Sequence, residues 1–267
     1  MSRNKKIPHT EYGRYLVAYL DIIGFEDMIK NMKSASTIAR ILEKVHKIAS
    51  WVGPYSSVDP IVMSHFSDTI VVTVPYNNET PGSPYLAMIN ISLLQATLTK
   101  HDCFLRGAIA IGKHYQNTKT RAMFGSAYLK AYKLEKTAIW PRVILDRSAL
   151  RLQKTLGSSL SRGDDGLVFI DYLKLAFDVA LAMGNSQNVS TTTPFTYRPI
   201  QFIDDHKDAI LRATRGIKDV TILQKYHYLA SYHNKVVKTL IAQYPPYKLD
   251  LKPLTIRLPT TFPTLYP

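Results

Sequence analysis

Tyr15-Leu16-Val17-Ala18-Tyr19-Leu20-Asp21-Ile22-Ile23-Gly24-Phe25-Glu26-Asp27 is the stretch on which the fold turns. Leu16 to Leu20 is apolar and β-prone, the pattern of a buried strand. A carboxylate follows at once, and an acid at the end of a core strand is expensive to desolvate without a partner. A bound cation removes that cost. Ser64-His65-Phe66-Ser67-Asp68, followed by Thr69-Ile70-Val71-Val72-Thr73-Val74, places a second acid at the turn between two strand-like runs, Pro60 to Phe66 and Thr69 to Val74. A hairpin from those runs, laid beside the first strand, brings Asp21 and Asp68 together. Two converging carboxylates point to a divalent-metal site and to phosphoryl chemistry.

Periodicity fills in the remaining elements. Ala35 to Trp51 carries Ile38, Ile41, Leu42, Val45 and Ile48 at helical spacing, with Ser34 or Ser36 available as a cap. Tyr85 to Lys100 is a second apolar-striped helix, and Phe104 to Gly112 a strand. Gly107 inside that strand implies a close backbone approach or a bulge. Phe124 to Thr137 reads as a helix, and Arg142 to Leu145 and Leu167 to Tyr172 as strands. The first six elements follow the ferredoxin-like βαββαβ order, so the expected class is α+β with an antiparallel sheet and a C-terminal helical embellishment. Ala180 to Tyr197, rich in Asn, Ser and Thr, reads as a loop; Phe202 to Arg215 and Asp219 to Ala242 read as helices. The prolines from Pro245 to Pro267 predict an extended tail. The expected division is a catalytic domain over 1–180, with 181–267 packed upon it.

Composition narrows the function classes. The 267 residues are 46% hydrophobic and 20% charged, as in an ordered globular protein. No apolar run reaches the roughly eighteen residues of a membrane span, and no apolar segment follows the basic start, Met1 to Pro8. A single cysteine, Cys103, fits a reducing cytoplasm and a place in the core. The net charge of +14, from 34 basic and 20 acidic residues, calls for an anionic partner. The basic residues form no dense tract, so no specific nucleic acid is expected, although charge alone does not separate a nucleoside triphosphate from a nucleic-acid strand.

Three segments carry a family resemblance: Tyr19 to Phe25, the hairpin acid in Phe66-Ser67-Asp68, and Leu105-Arg106-Gly107-Ala108-Ile109-Ala110-Ile111-Gly112. Together they resemble the catalytic domain of class III nucleotidyl cyclases, over roughly Tyr12 to Tyr172. Phe124 to Glu135, Trp140 to Asp146 and Gln224 to Asn234 resemble a narrower branch, the bacterial pyrimidine cyclases of Pycsar anti-phage signalling. The resemblance implies a homodimer with active sites built from both chains. It implies two Mn2+ or Mg2+ ions per site, held by Asp21, Asp68 and the Ile22 carbonyl. Phosphate oxygens would meet the backbone of Ile23, Gly24 and Phe25, with Lys119 nearby. It further implies UTP as substrate, cyclic UMP as product, and a separate effector protein reached through that product. CTP, a purine, and a catalytically inactive nucleotide- or RNA-binding sensor are the alternatives.

The chain also departs from the family. The positions of the family's ribose-orienting Asn and transition-state Arg fall on Leu129 and Lys133. Lys133 supplies charge without a two-pronged contact, and Lys130 or Arg106 could contribute. The adenine-selecting Lys position holds Ser64, and its companion acid position holds Ala122, beside Arg121. A hydroxyl together with an Arg suits the carbonyl-rich edge of uracil. His206, His227 and His233, with Asp204 and Asp205, have no zinc spacing and read as helix-start acids and an aromatic packing face.

Overall fold

The apolar run forms a strand longer than its periodicity marks: β1 spans Gly13–Ile23, so Asp21 lies inside the ladder rather than beyond its end. This computed structural model describes residues 12–31, 34–50, 61–76, 82–117, 119–152, 157–184, 198–215, 217 and 219–244. Met1 to Pro8, Trp51, Pro60, the Asn185 to Thr193 segment and the tail from Pro245 lie outside the described residues. The strands continue as β2 (Val62–Phe66), β3 (Thr69–Pro75), β4 (Phe104–Gln116), β5 (Met123–Phe124), β6 (Val143–Leu145), β7 (Leu160–Arg162) and β8 (Val168–Ile170). The helices are α1 (Phe25–Asn31), α2 (Ala35–Ser50), α3 (Gly82–Leu98), α4 (Ser126–Thr137), α5 (Tyr172–Gly184), α6 (Pro199–Ala213) and α7 (Val220–Gln243).

The class is α+β. The main sheet runs β2-β3-β1-β4-β6-β8-β7, antiparallel except between β4 and β6, and β5 pairs with β4 at the side. Its first four strands stand in ferredoxin-like order, with β1 central between β3 and β4. Leu16, Ala18, Leu20 and Ile22 bury against residues of α3 such as Met88 and Ile91, whereas Tyr15 and Val17 meet Ala127 and Ala131 of α4. Cover on both faces explains a continuous apolar run where a half-exposed strand would alternate.

Glycines fix two of the approaches. A Cβ on Gly107 would sit 2.6 Å from the Tyr19 carbonyl oxygen, so of the two expectations for this glycine it is the close backbone approach that holds, with β1 and β4 in unbroken register. Gly125 has φ 146, and a Cβ there would sit 2.4 Å from the Lys113 carbonyl oxygen. That turn separates Phe124, in β5, from α4, which therefore starts two residues later than its periodicity suggests.

Further corrections concern the second half. Tyr172 begins α5 rather than ending a strand, because β8 stops at Ile170. The expected loop from Ala180 is helical through Gly184, where Leu181 still packs on the core. α7 is capped by Asp219, whose carboxylate accepts from the Thr221 and Ile222 N–H groups. Phe202 and Ile203 of α6 and Val236, Val237 and Leu240 of α7 share one apolar core with the sheet.

His206 and His233 are buried and stacked, ring centroids 5.2 Å apart, with Tyr172 Oη 2.6 Å from His206 Nε2. His227 is exposed on the other side of α7. Burial holds His206 far below its ordinary pKa, and burial, then the Lys207 charge, pulls His233 down to about 4. A lowered folded pKa on a base means stability present above the unfolded value near 6.5 and lost as pH falls toward 4. Asp21 and Asp171, whose carboxyls burial pushes up, titrate with the opposite sign, so the difference between two proteins carries the test. Between pH 6.5 and 4.5, wild type should lose about 2 kcal/mol more stability than His233→Asn in urea melts. Parallel curves would show that the pair stays neutral.

Candidate active site

Asp21 and Asp68 meet where β1 passes the hairpin turn. Asp21 pairs with Thr69 of β3 on one side and with Arg106 of β4 on the other. Ser67 and Asp68 form the two-residue turn between β2 and β3, and Ser67 has the positive φ (54) that such turns use to match sheet twist. The Ile22 N–H donates to the Asp68 carbonyl oxygen at 3.0 Å, tying the turn to β1. Both acids line one cleft. Burial pushes the Asp21 carboxyl up to about 6, Arg106 works against that rise, and the Asp68 and Glu135 charges add to it. Like charges confined this way are what a divalent cation relieves.

Arg106 bridges two acids. Its Nη2 lies 3.1 Å from Asp21 Oδ2, and its Nε lies 2.8 Å from Glu135 Oε1. The second contact is close but poorly aligned as a hydrogen bond, so it acts mainly through charge. Glu135 is 5% exposed at its side chain, on the α4 face that also buries Ala127 and Ala131. An acid continuing an i, i+4, i+8 apolar stripe was the available signal for it, and sequence reasoning assigned it no role.

A cleft of about 640 Å³ opens beside the acids, lined by Asp21, Ile22, Ile23, Gly24, Phe25 and Asp68. Gly24 has φ +79, and a Cβ there would meet nothing within 4 Å, so the backbone angle and not crowding calls for glycine. α1 follows with only seven residues, which leaves first-turn N–H groups but little macrodipole. The far wall comes from α7, through Lys225, Tyr226 and Leu229.

A second cavity of about 680 Å³ contains both Ser64 and Arg121, with Tyr19, Thr69 and Tyr128. Gln116, buried at the end of β4, accepts from the Thr73 hydroxyl and donates through Nε2 to Ser64 Oγ at 2.8 Å. With a lone pair of Ser64 occupied, its O–H remains to donate. Arg121, exposed and held at φ 59, adds guanidinium donors. Lys119 is exposed at the β4–β5 turn and Lys133 exposed on α4; neither lines either cavity. Leu129 and Lys130 are exposed as well.

The donors present suit Mg2+ or Mn2+. Among the described residues no group of three or more His, Cys, Asp or Glu side chains could hold a metal, so the chain offers a carboxylate pair and no closed cage. These ions commonly bind through one or two carboxylates, completing their shell with substrate phosphates and water. No helix of the described residues is long and apolar enough to cross a membrane.

No family model matches the chain, and no curated protein matches it. Several solved structures are similar. The guanylyl cyclase domain of the RhoGC fusion protein from the aquatic fungus Blastocladiella emersonii aligns at 12% identity and a TM-score of 0.47, over 61% of this chain and 96% of that one. The catalytic core of a rhodopsin-guanylyl cyclase with converted specificity, in complex with ATPαS, aligns at 10% identity and 0.42, over 60% and 95%. A class III adenylyl cyclase-like ATP-binding protein from Pseudomonas aeruginosa aligns at 11% and 0.39, over 55% of this chain and 37% of that one. Likeness of this degree assigns no activity.

Proposed function

We propose that this chain is a metal-dependent nucleotide cyclase that converts UTP to 3′,5′-cyclic UMP and pyrophosphate. One observation carries the chemistry: Asp21 and Asp68, distant in sequence, crowd into one cleft where the Asp21 carboxyl is pushed up to about 6. Asp21 and Asp68, with the Ile22 carbonyl, would hold the ions. Bound Mn2+ or Mg2+ supplies acidification of the ribose 3′-hydroxyl and neutralises triphosphate charge. The 3′ oxygen forms its bond to the α-phosphorus as the bond to the pyrophosphate oxygen breaks, and the hydroxyl proton is released. Ile23, Gly24 and Phe25 present backbone where phosphate oxygens would lie.

Uracil is supported by the second cavity. Ser64 O–H and Arg121 are both donors, and uracil offers carbonyl acceptors where adenine offers an amino group. The resemblance to class III cyclases supports an active centre completed across a homodimer, in which the acidic cleft of one chain meets the base cavity of the other. Lys119 and Lys133, exposed in one chain, would then serve the partner's site. Residues 1–180 would carry the metal and base sites, and 181–267 would pack on the same domain and wall the cleft through α7. The resemblance of Phe124 to Glu135 and Gln224 to Asn234 to pyrimidine cyclases supports a second-messenger role in anti-phage defence, acting through a separate effector.

The test incubates purified protein with each of the four ribonucleoside triphosphates and Mn2+ and identifies products by mass. Cyclic UMP is expected; exclusive cyclic AMP would reject the base assignment, and no cyclic product from any triphosphate would reject the cyclase. Mixing Asp21→Ala with Ser64→Trp should restore about a quarter of wild-type activity if each centre draws on both chains of a C2 dimer. No recovery would place each centre within one chain.

A further inference from the structure

We propose that Lys225, on the C-terminal helix α7, is the cation that receives the terminal phosphates of the substrate in the Asp21–Asp68 cleft. The proposal rests on the cyclase reading and adds to it a phosphate-binding residue from the C-terminal embellishment. Ile222, Lys225, Tyr226 and Leu229 lie on one helical face and all line the cleft. That face is fixed in rotation: Leu229 is fully buried, Tyr226 meets Phe104 edge-on at 5.9 Å, and Asp219 caps the helix start. Lys225 is therefore directed at the cleft by packing rather than by a salt bridge.

Charge makes the position informative. The cleft is lined by four acids, Asp21, Glu26, Asp68 and Asp102, and among its described lining residues Lys225 is the only Lys or Arg. Three of those acids are engaged, Glu26 with Lys30 at 2.6 Å, Asp102 with Arg212 at 2.8 Å and Asp21 with Arg106, which leaves Asp68 as the acid beside Asp21 with no ion pair among the described residues. Among the described residues Lys225 has no hydrogen bond or ion pair. A half-buried ammonium facing an acidic cleft without bonding its acids has room for an anion between. Cations on Asp21 and Asp68 would bring that anion as a polyphosphate, whose free end extends away from the acids toward the opposite wall.

Inorganic tripolyphosphate is the probe, titrated by calorimetry into wild type, Lys225→Gln, Lys225→Met and Lys225→Arg in the presence of Mn2+. Loss of one charge-assisted contact should weaken binding about tenfold in the Gln and Met variants. Lys225→Arg should stay within about threefold of wild type, since the charge is kept. With UTP, the same two neutral variants should raise KM about tenfold while kcat changes less. Mn2+ alone should bind them at least as tightly as wild type, because a repelling cation has gone. Wild-type affinity for tripolyphosphate in both neutral variants would overturn the proposal. Tripolyphosphate binding that survives Asp21→Asn and needs no Mn2+ would instead overturn the cyclase reading on which it stands.

Discussion

Arg106→Ala is expected to cost about 3 to 5 kcal/mol of folding stability, because it strands a buried carboxylate. The guanidinium is shared between Asp21 and Glu135, and the Glu135 side chain is only 5% exposed. Removing it leaves Glu135 charged and unpaired against the Ala127 and Ala131 face of α4. It also removes the charge that opposes the burial-driven rise of the Asp21 carboxyl, which is then pushed up further. Urea denaturation measures the first effect. An Arg106→Met, Glu135→Leu double variant should recover much of the loss, since neither charge then remains buried alone. A single-variant cost below about 1 kcal/mol would show that Glu135 finds water or another partner.

Asp21→Asn and Asp68→Asn are each expected to lower turnover at least about a thousandfold, as loss of metal-supplied charge stabilisation costs several kcal/mol. Stability should move differently. The folded Asp21 carboxyl sits above its unfolded value, so its contribution is present below about 3.8 and is lost as pH rises through about 6. Above that range the ionised group is a burden to the metal-free fold, and Asp21→Asn should melt no lower than wild type at pH 7.5. A variant that is both inactive and unfolded would mean that Asp21 is structural, which the melt reveals. The same proton must leave before a cation binds, so wild-type Mn2+ affinity should fall about tenfold per pH unit below about 6.

The first four strands of the sheet were legible because apolar runs and turns follow one another in the ferredoxin-like order. Gly107 is the clearest case: its missing Cβ leaves space that the Tyr19 carbonyl occupies. The placement of Asp21 and Asp68 in one cleft followed from strand order. What escaped was set by contacts between segments distant in sequence. Gln116 orients Ser64 across 52 residues, and nothing local marks it. Lys225 is an ordinary helical lysine until α7 is docked on Phe104. The start of α5 at Tyr172 was hidden because the apolar run of β8 continues straight into a buried helix, and both read alike over a short window.

Calorimetric titration of Mn2+ at pH 7.5 into wild type, Asp21→Asn and Asp68→Asn tests the shared cation site most directly. Saturable binding to wild type, lost in both variants while their melts hold, is the expected result. Wild-type Mn2+ affinity in either variant would contradict it, since then the two acids do not hold the ion together.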